Sequence, residues 1–121
     1  MTFQERKELV ASYLGKTVKI KVDRPLGSAH PNHADMIYPV NYGYIPGVCG
    51  GDGEELDVYL LGVDKPVDEF SALVIAIIHR HNDVEDKLVA SPEGMSFTKD
   101  EIAQAVYFQE QYFETDIEMF E

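Results

Sequence analysis

The stretch Ser71-Ala-Leu-Val-Ile-Ala-Ile-Ile-His-Arg80 is nearly continuous in apolar residues. A run of this length is typical of a strand that is buried on both faces at the centre of a sheet. We therefore predict a central β-strand over residues 71–80, around which the other elements pack.

Further strands are indicated on both sides of this central strand. Thr17-Val-Lys-Ile-Lys-Val-Asp23 alternates apolar and polar residues, as a half-exposed strand does. Three more strands are predicted over Tyr38–Ile45, with bends at its proline and glycine, over Leu56–Leu61 and over Lys87–Ser91. Residues 24–37 contain two prolines and a glycine, which predicts a long loop of the kind that often carries function.

A helix is predicted near each end of the chain. Thr2-x-x-Glu5 is a capping-box pattern, and the helix it begins is expected to stop at Gly15. Thr98-x-x-Glu101 is a second capping box, and its helix is expected to continue to Tyr112 or Phe113. Four or five short strands with a helix at each end predict a small β-barrel of the α+β class.

Length and composition restrict the possible functions. The 121 residues suffice for one domain, and the net charge of −12 argues against a nucleic-acid partner, which requires a cationic surface. The single cysteine, Cys49, excludes an internal disulfide and suits a reducing compartment. The N-terminus lacks a secretory pattern, and the longest apolar run, Leu73–Ile78, is too short for a bilayer. We expect a soluble cytoplasmic protein without a membrane partner.

Two acidic segments adjoin predicted apolar strands, at Asp52-Gly-Glu-Glu-Leu-Asp57 and at Asp83-Val-Glu-Asp86. Carboxylates this close repel one another unless a cation lies between them, and hard divalent cations such as Mg²⁺ prefer oxygen ligands. Asp57 would be costly to bury unpaired within its strand. The two segments are predicted to face each other across the barrel mouth; the alternative is a solvated hairpin tip.

Histidines and tyrosines offer weaker signals. His79 and His81 are placed on one face of the central strand, and His30 and His33 share the long loop, which raises the alternative of a zinc site. Cysteine partners and HExxH spacing are missing, so hydrogen-bonded structural histidines are favoured. The three tyrosines between positions 38 and 44 alternate onto one face, which favours packing. No nucleophile elbow, P-loop or dinucleotide fingerprint supports other chemistry.

Four blocks in residues 17–113 together resemble the soluble family I inorganic pyrophosphatases. Tyr38-Pro-Val-Asn-Tyr-Gly-Tyr-Ile45 is similar to their Tyr-Pro-x-Asn-Tyr-Gly-Tyr-Ile segment, and Asp52–Val58 is similar to their signature D-[SG]-D-P-x-D-[LIV]. Glu85–Ala90 resembles their later acidic segment, and Phe108–Tyr112 resembles their aromatic C-terminal helix. The segment Asp23–Ser28 is also similar to a short, clostridial-type branch.

This resemblance implies one domain over residues 1–121, folded as a five-stranded OB-like barrel with flanking helices. It implies hydrolysis of inorganic pyrophosphate, or a related small diphosphate, with Mg²⁺ and possible use of Mn²⁺, by a homo-oligomer. The implied metal ligands are Asp52, Asp57, Asp83 and Glu85. The implied catalytic residues are Asp57 and the general base Glu54, and the implied phosphate contacts are Tyr42, Lys87 and Tyr112.

The chain departs from the family pattern in three of these blocks. In the later acidic segment, Glu85 stands where the family has an aspartate, and the stretch between Asp83 and Glu85 is shortened. The acidic turn contains D-G-E-E where the family has D-[SG]-D-P, which lengthens the implied base and removes a proline. The C-terminal block contains Tyr112-Phe113 where the family has tyrosine followed by lysine, so one implied phosphate-binding cation is missing.

The lysine and arginine that the family has upstream of the Tyr-Pro block have no clear counterparts, and Arg24, His30 and His33 are the candidate stand-ins. The guanidinium of Arg24 offers a fixed fork to phosphate; its alternative role is a surface salt bridge. His30 and His33 would be pH-sensitive donors beside it. With fewer cations, two other functions remain open. One is a non-catalytic module that binds phosphate or a nucleotide and regulates, and the other is hydrolysis of a different phosphorylated metabolite.

Overall fold

The computed structural model describes residues 2–49, 55–81 and 86–120. Within these ranges the chain forms two helices and eight strands: α1 Phe3–Ala11, β1 Thr17–Arg24, β2 Ala29–His30, β3 His33–Ile37, β4 Asn41–Cys49, β5 Glu55–Leu60, β6 Glu69–Arg80, β7 Lys87–Ser91, α2 Lys99–Glu110 and β8 Thr115–Met119.

Five of the strands close into a barrel in the order β1-β4-β5-β7-β6, and β6 returns to pair with β1. The pair β5–β7 is parallel and the other barrel pairs are antiparallel. The first half of β6 pairs with β1, and its second half pairs with β8. The predicted α+β barrel with five strands and a helix near each end is confirmed.

The length and apolar composition of β6 follow from its place between two cores. Ile77 belongs to the barrel interior, with Val18, Ile20 and Val22 of β1. The neighbouring Ile78 belongs to a second core, which also contains the buried residues Ile102 and Val106 of α2 and the buried tyrosines 38, 42 and 59. Because successive side chains of a strand point to opposite faces, β6 is apolar on both faces, as the sequence predicts.

Gly43 permits the close approach of β1 and β4. A Cβ atom at this position would lie 2.0 Å from the carbonyl oxygen of Lys21 and 2.9 Å from the Cα of Val22. Both contacts are with backbone, which cannot move aside as a side chain could. The glycine therefore fixes the separation of two strands that carry residues of the candidate site.

Several predicted boundaries were wrong. The loop over 24–37 contains the hairpin β2–β3. The tyrosine-rich strand starts at Asn41, since Tyr38 bonds through its backbone to the loop at Gly27 and Ser28. Helix α1 ends at Ala11 and is followed by a turn, in which Gly15 has a φ of 80°.

At the other end of the chain, α2 stops at Glu110, and the following residues turn back so that β8 adds to the sheet. Both predicted capping boxes are confirmed, at Thr2 with Glu5 and at Thr98 with Glu101. Neither described helix is long and apolar enough to cross a membrane.

Candidate functional site

A cleft of about 650 Å³ lies between the barrel strands, the hairpin β2–β3 and the C-terminal end of α2. Its lining contains all five of the predicted site residues that the structure describes, namely Arg24, Tyr42, Asp57, Lys87 and Tyr112. The other four, Asp52, Glu54, Asp83 and Glu85, lie outside the described residues.

Asp57 and Lys87 form an ion pair in the wall of this cleft. In the parallel ladder of β5 and β7, Val58 pairs with Leu88, so the two residues that precede them are also neighbours. Lys87 Nζ lies 2.6 Å from Asp57 Oδ2, and the lysine side chain is 4% exposed whereas that of the aspartate is 26% exposed. Both residues line the cleft, the lysine almost fully buried and the carboxylate partly exposed.

Tyr42 is the second group that holds Asp57. Burial, followed by the charge of Asp57 and a hydrogen bond to it, raises the pKa of Tyr42 well above its usual value. The hydroxyl therefore stays protonated at neutral pH and donates to the carboxylate. This donation orients Asp57 within the cleft.

Arg24 is held by aromatic side chains. It pairs with Tyr42 across β1 and β4, after a bulge in the ladder, and its Nη1 donates to the hydroxyl of Tyr38 at 2.7 Å. Its guanidinium also lies 5.6 Å from the ring centre of Tyr42 and 5.8 Å from that of Tyr38. These contacts place Arg24 in the cleft wall and do not support the alternative of a surface salt bridge.

Tyr112 lines the cleft from the turn after α2, and not from the helix as expected. The residue as a whole is 66% exposed. The neighbouring Phe113 also lines the cleft and lies 3.8 Å, measured to its ring centre, from the guanidinium carbon of Arg80.

A buried ion pair in the cleft wall was missed by the sequence analysis. Arg80 Nε donates to Glu110 Oε1 at 2.9 Å, and Arg80 Nη2 donates to Glu110 Oε2 at 2.6 Å. Glu110 follows Ile102 and Val106 at intervals of four, on the buried face of α2. A carboxylate on an apolar helical face must be paired, and this signal could have revealed it.

The two histidine pairs have different surroundings. His30 lines the cleft and stacks on Tyr38, with ring centres 6.2 Å apart. Its Nδ1 accepts the backbone N–H of Asn32 at 3.0 Å, so the proton of the neutral ring is on Nε2. Desolvation, with the charges of Arg24 and His33, lowers the pKa of His30 below 6.5, which makes it a neutral donor at pH 7.

His79 belongs to a separate charged group, which we call the outer cluster and which comprises Lys7, His79, Asp86 and Glu118. Lys7 Nζ lies 2.6 Å from Asp86 Oδ2, His79 Nδ1 lies 3.2 Å from the same oxygen, and His79 Nε2 lies 2.9 Å from Glu118 Oε1. The predicted common face of His79 and His81 is wrong, because β6 ends at Arg80. The outer cluster agrees with a structural role for His79.

The donor set of the cleft suits a hard cation. Within residues 2–49, 55–81 and 86–120, no three His, Cys, Asp or Glu side chains are grouped closely enough to hold a metal. Of the predicted ligands, the described part contains Asp57, whose open carboxylate offers oxygen to the cleft. Oxygen of this type fits Mg²⁺ or Mn²⁺, whereas zinc sites use mainly nitrogen and sulfur ligands.

Comparison with known proteins shows the family of the chain. Residues 9–120 match the family model described as inorganic pyrophosphatase. Inorganic pyrophosphatases of Saccharolobus solfataricus and Aeropyrum pernix are 39% and 32% identical over 79 residues, which are 62% of this chain. The match spans only 42% of the length of either relative.

The fold also resembles the crystal structure of inorganic pyrophosphatase from Ehrlichia chaffeensis, with a TM-score of 0.68. That likeness covers 88% of each chain at 20% identity and concerns the fold. The family match extends over nearly the whole chain, from α1 to the end of β8. The chain therefore belongs to the inorganic pyrophosphatase family.

Proposed function

We propose that the chain hydrolyses inorganic pyrophosphate, or a related small diphosphate, to phosphate with the help of Mg²⁺ or Mn²⁺. The observation that carries the proposal is the convergence of Arg24, Tyr42, Asp57 and Lys87 on one cleft in a chain of this family. The similarity of Asp23–Ser28 to a short, clostridial-type branch supports placing the chain in that branch.

Asp57 is proposed to hold the metal through the oxygens that face the cleft. Lys87 and Tyr42 fix its orientation, so the carboxylate need not reorganise when a cation arrives. When bound, the metal would lower the pKa of a water molecule and draw charge from the phosphoryl oxygens. The remaining proposed ligands are Asp52, Asp83 and Glu85.

Proton transfer and substrate orientation are assigned to other side chains. The carboxylate of Glu54 is proposed to accept the proton of the attacking water, as a general base. Arg24, Lys87 and the hydroxyls of Tyr42 and Tyr112 are proposed to contact phosphoryl oxygens. Charge-assisted hydrogen bonds from such groups mainly position the substrate and neutralise its charge.

The cellular context is also a proposal. We propose that the chain forms a homo-oligomer in the cytoplasm and has no nucleic-acid or membrane partner; family membership and the negative net charge support this proposal. Size-exclusion chromatography with light scattering would measure the oligomeric state directly.

A second candidate function is a module that binds phosphate or a nucleotide without turnover. Phe113 occupies the position where the family resemblance implies a lysine, and Arg80, the additional cation of the cleft, is engaged by Glu110. A cleft with fewer available cations could retain a phosphate ligand through Arg24 and Lys87 and yet fail to stabilise the developing charge of the reaction.

Phosphate release from pyrophosphate, titrated with Mg²⁺ and with Mn²⁺, distinguishes the two functions. We expect release that depends on the metal and is at least about 100-fold faster than from a phosphate monoester, because a monoester offers no second phosphoryl group for the clamp. Saturable pyrophosphate binding by calorimetry without release would support the binding module. Faster phosphate release from another phosphorylated metabolite would assign that metabolite, and not pyrophosphate, as the substrate.

A further inference from the structure

A continuous chain of hydrogen bonds runs beneath the cleft from β1 to α2. Arg24 Nη1 donates to the Tyr38 hydroxyl at 2.7 Å, and this hydroxyl donates to Gln109 Oε1 at 3.0 Å. Gln109 Nε2 donates to the Tyr59 hydroxyl at 2.7 Å, and Tyr59 donates to Glu110. Gln109 is therefore the link between two tyrosines that come from different parts of the sequence.

The chemistry of its two ends fixes the direction of this chain. A guanidinium can only donate, so the hydroxyl of Tyr38 must give its own proton onward. A carboxylate oxygen accepts, and the carboxylate of Glu110 already accepts two hydrogen bonds from Arg80. Tyr59 must therefore give its proton to Glu110 and accept from position 109. The residue between the tyrosines has to accept on one side and donate on the other.

An amide satisfies both requirements, in one orientation only. If its oxygen and nitrogen were exchanged, the oxygen would face Tyr59, whose single proton is needed by Glu110. The nitrogen would face Tyr38, whose proton would then have no acceptor. A carboxylate at position 109 would lack the donor for Tyr59, and an aliphatic side chain would lack both groups.

We propose that Gln109 is a positioning residue of the active site. Its amide lets every hydrogen bond between Arg24 and the Arg80–Glu110 ion pair form with a donor and an acceptor, and this holds the guanidinium of Arg24 in the cleft wall. The proposal rests on the proposed function, in which Arg24 contacts phosphate. Nothing in the sequence motif assigns a role to Gln109. It acts on Arg24 through Tyr38, and its own side chain also lines the cleft.

The test uses the variants Gln109→Leu and Gln109→Glu in the full chain, with Gln111→Glu as a matched control. Gln111 is exposed, follows the same helix and donates to the carbonyl of Phe108. For Gln109→Leu we expect a KM for pyrophosphate about tenfold higher at every pH, with kcat within about twofold, since loss of one charge-assisted contact is of this size. Gln111→Glu should keep both wild-type constants.

The glutamate variant provides the sharper readout. Its KM should be raised where the introduced carboxyl is ionised and should fall toward the wild-type value as the pH is lowered far enough to protonate it, because a protonated carboxyl again offers one donor and one acceptor. The titratable groups that hydrogen-bond to the side chain at position 109 are Tyr38, Tyr42 and Tyr59, and the charged groups that line the same cleft include Arg24, Asp57, Arg80 and Lys87. All of them are present in both variants, so the ratio of the two KM values isolates residue 109.

If the side chain at position 109 only filled space, the ratio of variant KM to wild-type KM would be the same for Gln109→Leu and Gln109→Glu at every pH. That result would overturn the proposal. If the wild type releases no phosphate, the proposed function fails by itself. The same variants are then compared by calorimetric binding of pyrophosphate, with the same expected changes in Kd. Unchanged binding in both variants would refute the positioning role independently of catalysis.

Discussion

Two lysine–aspartate pairs flank the start of β7, and they are built in opposite ways. In the outer cluster, Asp86 Oδ2 lies 2.6 Å from Lys7 Nζ, with the carboxylate 2% exposed and the lysine 26% exposed. In the cleft, Lys87 Nζ lies 2.6 Å from Asp57 Oδ2, with the lysine 4% exposed and the carboxylate 26% exposed. The two pairs therefore have equal contact distances and opposite burial.

The difference indicates which pair is available for chemistry. The carboxylate of Asp86 also accepts the backbone N–H of Arg80 at 3.3 Å and contacts His79, so it joins α1, β6 and the start of β7. The carboxylate of Asp57 is held from behind and keeps an open side toward the cleft. A buried, fully bonded carboxylate stabilises the fold, whereas a pre-oriented and accessible one can accept a cation.

The largest expected effect concerns the open carboxylate. Replacing Asp57 with asparagine should weaken Mg²⁺ binding by about 100-fold, since loss of even an outer partner of a metal ligand costs 10–100-fold. Isothermal titration calorimetry with Mg²⁺ alone measures this change. Unaltered Mg²⁺ affinity in the folded variant would remove Asp57 from the ligand set.

The two lysines provide a matched test of substrate binding. Lys87→Met should raise the KM for pyrophosphate about tenfold, because a buried charge-assisted donor is lost from the cleft. Lys7→Met is the control and should leave KM unchanged, since Lys7 belongs to the outer cluster. Steady-state kinetics at saturating Mg²⁺ compares the two; equal KM values for both variants would contradict the assignment.

The buried carboxylate of the outer cluster should matter for stability. Asp86→Asn is expected to lower the free energy of unfolding by about 2 kcal/mol, below the full cost of breaking a buried pair because Lys7 is partly exposed. Urea denaturation measures the loss, with Glu69→Gln as the control that should change stability less, because its ion pair with Lys19 is exposed on both sides. An equal or larger loss in the control would contradict the structural role of Asp86.

The smallest expected effect concerns a histidine at the cleft rim. The pKa of His30 should lie below 6.5, because desolvation disfavours the imidazolium and because Arg24 and His33 are near. Since the folded pKa is lowered, the fold loses stability as the pH falls below the unfolded value and gains nothing further above it. An NMR titration of the ring proton gives the value, which should rise in Arg24→Gln; a pKa at or above 6.5 in the wild type would contradict the structure.

Local sequence signals predicted much of the fold. The strand β7 was predicted with its observed bounds, β6 within two residues, and both capping boxes were found, because these features depend on composition and spacing over a few residues. The hairpin β2–β3 and the strand β8 were missed. They are short and largely exposed, and β8 exists because the second half of β6 offers it a free edge, which no local pattern encodes.

The site could be predicted only in part. The motif-bearing residues Tyr42, Asp57 and Lys87 were found, and the structure places them together in one cleft. The chain through Gln109 was not predictable, because it needs Tyr38, which precedes β4, and Tyr59 of β5 to meet a side chain of α2 that is far from both in sequence. Glu110 was recognisable as a carboxylate on the apolar stripe of α2, although its partner Arg80 lies 30 residues away.

Hydrolysis by Asp57→Asn and Asp86→Asn, assayed side by side, tests the central claim most directly. The measurement is kcat/KM for pyrophosphate at saturating Mg²⁺, at a temperature where both variants are folded. We predict a loss of at least about 100-fold for Asp57→Asn and less than about threefold for Asp86→Asn, because only the first carboxylate reaches the reacting groups. Wild-type turnover by Asp57→Asn, or equal losses in both variants, would contradict the account.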